Sequence, residues 1–540
     1  MSDKKNDSDA AVLSRRMVMG TLLAAGGLAL PAKRAYAGAA TNNVIYASSY
    51  GVVADGVSND APALQNAIAA MSNGCVLVLP AGIMALGSWG WTGILVSGLS
   101  NIRIEGNATG IKWLAAPSQA TGPVGVTGLR LYNCTKATIS DISINGNSTA
   151  CIGLGLDTCT SCVVSGVEAY AHAGPGQFAS CKGTGNSWRH CSAHDSISGS
   201  ACRGFLLGNP NSGWQETDQL VLGCSAQNND ATGFGIEGVR VLCIGNLSEN
   251  NQGAGFASAT ANGSPSTDHS FIGNVGRANL FHGYQLDVYG PNVQRVTLIG
   301  NDFSDNVHSG IYCAYGTDIT ITGNLLSGNG STTAVSALVL YASDGVLVSG
   351  NMIEGDSTYG ICISTAYPAN VMADVVISNN RCVGVTAKTV LLEAVDGSSS
   401  LQRFTVTGNL IQGGSYGLYL RSDAYGSVVD SIVISNNIVQ GASTSSYYFN
   451  DFAYGQSTNL RLTGNAGGNA AFGSNVVPVV NASNAWNPRF GYQSAAPTAG
   501  TWAQGDIFYN PAPAAGGYIG WVCTSGGTPG VWNPFGSIGI

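Results

Sequence analysis

Apolar and polar residues alternate along most of the chain in short runs, and each run ends at a turn. Ala137-Thr138-Ile139-Ser140-Asp141-Ile142-Ser143-Ile144 shows the pattern plainly. A period of two belongs to a strand with one face buried. The turns recur as Gly-Asn or a close equivalent: Gly245-Asn246, Gly273-Asn274, Gly300-Asn301, Gly323-Asn324, Gly350-Asn351, Asn379-Asn380, Gly408-Asn409, Asn436-Asn437 and Gly464-Asn465. Their second residues stand 23 to 29 positions apart. About ten residues beyond each asparagine a second mark follows, usually glycine and then a large apolar residue, as in Gly255-Phe256, Gly283-Tyr284 and Gly310-Ile311.

Short alternating strands with a period below 30 residues predict a solenoid. A leucine-rich repeat is excluded by the missing leucine consensus, and helical repeats by the lack of a 3.6-residue period. Glycine and asparagine at fixed offsets supply the left-handed positions that sharp corners need. Asparagines stacked in this way can also bond one another along the axis.

Ahead of the repeat, Ala61 to Met71 predicts a capping helix. Asn59 or Asp60 caps it, Pro62 sits in the first turn, and Leu64, Ile68 and Met71 share a face. The run from Tyr50-Gly51 through Asp55-Gly56 and Asn59-Asp60-Ala61 to Ala67-Ile68 resembles the N-terminal motif of pectate lyase-like and polygalacturonase-like proteins. It departs from that motif at Asn59-Asp60-Ala61, where the family usually has two aspartates and a threonine. The resemblance implies an all-β, right-handed parallel β-helix over 38–485 and a polysaccharide partner. It leaves a homotrimer open, as in tailspike-like relatives. Residues 486–540, rich in Trp, Pro and Gly, read as a small hairpin-rich β module. Its aromatics either bind sugar or, the preferred reading, pack its own interior.

Residues 1–37 read as a twin-arginine signal peptide. Ser14-Arg15-Arg16 precedes a short apolar core, and Ala35-Tyr36-Ala37 offers a cleavage site. A periplasmic or extracellular location follows. The rest of the chain has no apolar run long enough to span a bilayer. Only 10% of residues are charged and the net charge is −8, which excludes a nucleic-acid partner and disfavours a membrane surface. The fourteen cysteines are expected mainly as stacked core thiols; Cys191 and Cys224 occupy equivalent repeat positions, and Cys313 and Cys362 fall at inner or near-inner ones. One or two disulfides are the alternative.

Paired Asp-Asp with Gly-His-Gly, the polygalacturonase set, is absent, so a site must be read from the solenoid. Counting alternation inward from the bulky residue places Glu237, Gln285, Asp287 and Tyr312 outward, with Tyr284 inward. Glu237 and Asp287 then stand two rungs apart, about 9–10 Å, near the separation that inverting glycosidases use. Glu237, Asp287, Tyr312 and His308 are the catalytic candidates, with His282 at a nearby turn. Gln285, Arg203, Arg240, Arg277, Asp268 and His269 are the candidate substrate-binding residues. A second cluster is His190, His194, Asp195 and Arg203. No cofactor is required; calcium is left open, and no metal ligands are assigned. Three functions compete: a glycoside hydrolase, slightly preferred; a polysaccharide lyase or C5-epimerase, in which arginines neutralise a uronate; and a non-catalytic adhesin or tailspike-like protein.

Overall fold

The computed structural model describes residues 43–540 apart from 89–91, 119–124, 209–215, 261–265, 289–292, 331–335, 356–357, 366–370, 396–398, 423–426, 451–455, 473–477, 479, 483 and 485–489. The signal-peptide expectation lies outside these residues. Among them no helix is long and apolar enough to cross a membrane.

The repeat winds into a parallel β-helix. Each coil adds one strand to a continuous fifteen-stranded parallel sheet, running from Ile94–Ser97 to Ala470–Phe472. The rest of each coil supplies short strands to a second large sheet and a smaller five-stranded one. Inward positions of the fifteen-stranded sheet stack like on like. Phe178, Phe205, Phe234 and Phe256 lie ring over ring at 4.9, 4.7 and 4.9 Å. All four are fully buried, each contributing about 2–3 kcal/mol of apolar burial.

The Gly-Asn marks divide their labour. The first residue of each takes a left-handed backbone, φ 60° at Gly245 and 56° at Asn379, which explains the restriction to Gly or Asn. The second faces inward as a rung of a ladder. Each Asn Nδ2 donates to the next Asn Oδ1 and to a carbonyl of the preceding coil; for Asn301 these are Asn324 Oδ1 at 2.9 Å and Phe271 O at 3.0 Å. The ladder runs from Asn246 to Asn484. Buried amides bonded on every side cost little.

A second ladder went unread in the sequence. Asn229, Asn251, Asn279, Asn306 and Asn329 bond in the same way. It accounts for the glycine before each aromatic: a Cβ on Gly255 would lie 2.8 Å from Asn279 Nδ2, and one on Gly283 2.8 Å from Asn306 Nδ2. Only a hydrogen fits behind those amides.

The capping helix spans Ala61–Ala69 with Leu64, Ile68 and Met71 buried. Its N-terminus differs from expectation. Asp60 occupies the cap position but makes no cap bond. Its carboxylate instead accepts the Val53 and Ala54 N–H groups, while Asn59 Oδ1 accepts the Ala61 N–H. All fourteen cysteines are free and buried, so the disulfide alternative falls. Cys191 N–H lies 3.4 Å from Cys224 Sγ, one coil on. At the C-terminus, Phe490–Tyr492, Ile507–Tyr509, Tyr518–Ser525 and Val531–Ser537 form a separate four-stranded sheet.

Candidate functional site

The register fixes the outer face of the fifteen-stranded sheet. Gly235, Ala257, Gln285, Tyr312 and Val339 stand side by side on consecutive coils. One column over, Ala259 pairs with Asp287, and Glu237, following Ile236 in the coil before, falls in that same column. The two-rung spacing of the Glu237 and Asp287 backbones is therefore as expected. The Asp287 side chain lies outside the described residues.

Glu237 departs from expectation in one respect. It is not a solvated carboxylate: the residue is only 9% exposed. Its backbone N–H bonds Leu207 O at 2.7 Å, and Gly208 packs so closely that a Cβ there would lie 2.7 Å from the Glu237 Cβ. Burial pushes the Glu237 carboxyl up to about 8, and the charge of Arg203 only partly opposes this. Arg203 lies across the same face, its Cδ 3.3 Å from where a Gly235 Cβ would stand. Neighbouring outward positions are also covered, since Ala179, Cys181 and Leu206 form a buried apolar cluster of their own. Glu237 is thus a protonated acid at neutral pH in a largely apolar setting.

Farther along, Tyr312 stacks on His282 with ring centroids 4.7 Å apart. His308 lies 5.5 Å from His282 and 4.6 Å from Phe281. His282 is held neutral: burial, then the neighbouring His308, push it down to about 3, while its Nδ1 accepts the Ser309 N–H at 3.2 Å. Gln285, half-buried, completes the group. Glu237 and Arg203 form one cluster. Gln285 and His282, two coils on, form another with Tyr312 and His308, three coils on.

The remaining candidates are elsewhere. Asp268 and Arg240 belong to a corner of the second large sheet, where Asp218, Arg240, Asp268, Arg295 and Asp318 follow one another at left-handed positions. Arg240 binds Asp218 at 2.6 and 2.9 Å, and Arg295 binds Asp268 at 2.6 and 2.9 Å. The Arg295 bonds hold Asp268 down to about 2. Arg277 is paired with Glu249 at 2.7 Å. His269 is the clearest correction. It is fully buried, bonding Ser258 Oγ, Ser266 Oγ and Gly238 O, and burial pushes it down to about 4. His269 lies two residues before the buried Phe271 on the same strand, and alternation carries it to the same inward face.

Of the second cluster, His194 is gripped between Glu168 at 3.0 Å and Asp195 at 2.9 Å and stacks on Tyr170. Arg203 belongs to the other face. Two acidic groups escaped the sequence reading: Glu216, which burial pushes up to about 8 inside the coil, and Asp157, paired with Arg130. No repeat mark flags either, although Glu216 follows a run without apolar alternation.

Comparison with known proteins places the fold. Residues 272–487, less than half of the chain, match the family described as periplasmic copper-binding protein (NosD). No curated protein matches the chain. Among solved structures, the A-module of a mannuronan C-5 epimerase from Azotobacter vinelandii is 17% identical, covering 76% of this chain and 98% of its own, with a TM-score of 0.51. Tailspike protein 3 of bacteriophage CBA120 is 12% identical over 98% of this chain and 77% of its own, with a TM-score of 0.44. PfbA, a surface adhesin of Streptococcus pneumoniae, is 11% identical over 92% and 100%, with a TM-score of 0.39. Coil geometry and the likeness to the epimerase module together show that the chain has the parallel β-helix fold.

Proposed function

We propose that this protein acts outside the cytoplasm on a polysaccharide laid along the outer face of the fifteen-stranded sheet, and that it cleaves glycosidic bonds by hydrolysis. The observation that carries this reading is the Glu237 carboxyl, held up to about 8 by burial on an outward column. An acid that stays protonated at neutral pH can donate to a leaving glycosidic oxygen. Asp287, two rungs away in the same column, is assigned the base that activates water. Their spacing of about 9–10 Å leaves room for that water, and Ala259 between them leaves room for a sugar. Arg203 positions the sugar beside the acid.

A second reading is uronate chemistry, β-elimination or C5-epimerisation. It is favoured by Arg203, a cation able to neutralise a uronate carboxylate, and by the phenol of Tyr312, stacked on neutral His282, as a proton donor to the sugar. The epimerase of similar fold acts on such a polymer. Copper is not part of either reading. Within the matched stretch, His282 already accepts a backbone N–H, and Cys313, Cys362 and Cys382 are buried in separate coils. No three His, Cys, Asp or Glu side chains gather at metal-binding distance among the described residues.

The test is a panel of neutral and acidic polysaccharides, followed for new reducing ends and for unsaturated-uronate absorbance together. Hydrolysis gives reducing ends without absorbance, and Glu237→Gln and Asp287→Asn each abolish them. Absorbance rising with reducing ends replaces the first reading with the second. Activity that survives Glu237→Gln refutes the assigned acid; silence in both readouts points to an epimerase where proton NMR of the polymer shows inverted C5 centres, and to an adhesin where it does not.

A further inference from the structure

The C-terminal four-stranded sheet has two faces of different character, and the register separates them. One face is the interior of this unit. Phe508 and Cys523 are buried there, and Trp502 and Trp532 pack edge to face at 5.6 Å over Phe508. Both indole N–H groups are spent locally, on Ala499 O and Pro529 O. These two tryptophans are packing residues.

The opposite face carries a row of rings. Tyr492 pairs with Tyr509, Tyr509 with Gly520, and Gly520 with Phe535, so the row crosses all four strands. Ring centroids are 6.3 Å apart from Tyr492 to Tyr509 and 5.8 Å apart from Tyr509 to Phe535. Gly520 makes the second contact feasible: a Cβ there would stand 2.9 Å from Phe535 Cε1, so the phenyl ring leans across the third strand onto Tyr509. Tyr492 is 77% exposed and Tyr509 37%, with Tyr518 exposed on the same face. Among the described residues no charged side chain stands on this face.

We infer that this aromatic row is a second carbohydrate-binding site, separate from the sheet face proposed above, taking a short segment of uncharged glycan. Size decides the occupant. Four strands at about 4.8 Å and three residues at about 3.3 Å cover on the order of 200 Å², against about 800 Å² on each partner of a stable protein interface. A patch that small holds a few sugar rings rather than a second protein. Chemistry agrees. The C–H face of a pyranose, weakly positive, stacks on the negative face of an aromatic ring, and the tyrosine hydroxyls at the edge bond sugar hydroxyls. Among the described residues this face offers no cation to hold a uronate carboxylate.

The experiment is native-gel affinity electrophoresis of the whole protein in gels containing dextran, galactomannan or xylan, with polygalacturonate as the acidic control. At least one neutral polymer is expected to retard the protein. Tyr492→Ala and Tyr509→Ala are expected to weaken that retardation at least tenfold, while Glu237→Gln retains it, so failure here is independent of failure at the catalytic face. Tyr492 is mostly in solvent, and unchanged tryptophan fluorescence in Tyr492→Ala verifies that the sheet stays folded. Retardation equal in parent and variants, retardation by polygalacturonate alone, or none by any polymer overturns the inference. So does a concentration-dependent dimer in sedimentation that Tyr492→Ala dissolves.

Discussion

Two carboxyl groups only 31 residues apart in sequence, Glu237 and Asp268, live in opposite electrostatic worlds. Asp268 sits in a corner where acids and arginines alternate coil by coil, and the two Arg295 bonds hold it down to about 2. Glu237 has no ion-pair partner among the described residues; burial drives it up to about 8. A carboxylate ladder of alternating sign is a way of lining a corner, and its members are already spoken for. An acid kept neutral beneath a cover, with a cation too far to claim it, is kept for something else.

The contrast can be broken most sharply by activity. Glu237→Gln is expected to lower kcat on the order of 10²–10⁴-fold, the span of a lost general acid, with the melting temperature unchanged or raised. Asp268→Asn is expected to leave kcat intact; equal losses in steady-state rates would erase the distinction.

The next largest effect is on stability against pH. Glu237 and Glu216 have folded values near 8, above their ordinary 4.5. Their contribution is complete below 4.5 and is lost as pH rises through 8. His172 and His269 near 4 and His282 near 3 lie below their ordinary 6.5. Theirs is complete above 6.5 and is lost as pH falls through 4. Chemical denaturation across pH should therefore peak near pH 6.5, with a slope of about 1.4 kcal/mol per pH unit for each group. Glu237→Gln should flatten the alkaline limb and steepen the acid limb between pH 4.5 and 6.5, where the two sets of groups oppose one another.

Smaller again is Arg203→Ala. Removing the charge that opposes burial should raise the Glu237 value further, moving the alkaline limb of the kcat/KM profile upward. A downward move would deny Arg203 its place beside Glu237. Smallest is Asp268→Asn on stability: an exposed pair contributes little, and thermal melts should agree within scatter.

The repeat was legible because its signals are local. A left-handed φ at Gly300 and a buried amide at Asn301 both demand a particular residue at a particular offset, whatever the neighbours do. The second ladder was equally regular, with Asn251, Asn279, Asn306 and Asn329 each five residues past the first. Its visible trace in the sequence is the glycine-aromatic step that those amides enforce from behind. Alternation correctly turned Tyr284 inward and aligned Glu237 with Asp287. It was not applied to His269, which, two residues before the buried Phe271, faces inward with it. Nor could it show that Glu237 is covered, because burial of an outward residue depends on chain that is distant in sequence.

Fourteen thiols without a single disulfide make this fold a one-way object under oxidising conditions. Folded, each sulfur is sealed among core side chains and beyond the reach of oxidants. Unfolded, the same chain exposes fourteen nucleophiles that can cross-link in many wrong combinations. Thermal unfolding in air should then be irreversible, and refolding should recover only with a reductant present. The lifetime of the protein outside a reducing environment would be set by how seldom the coils open.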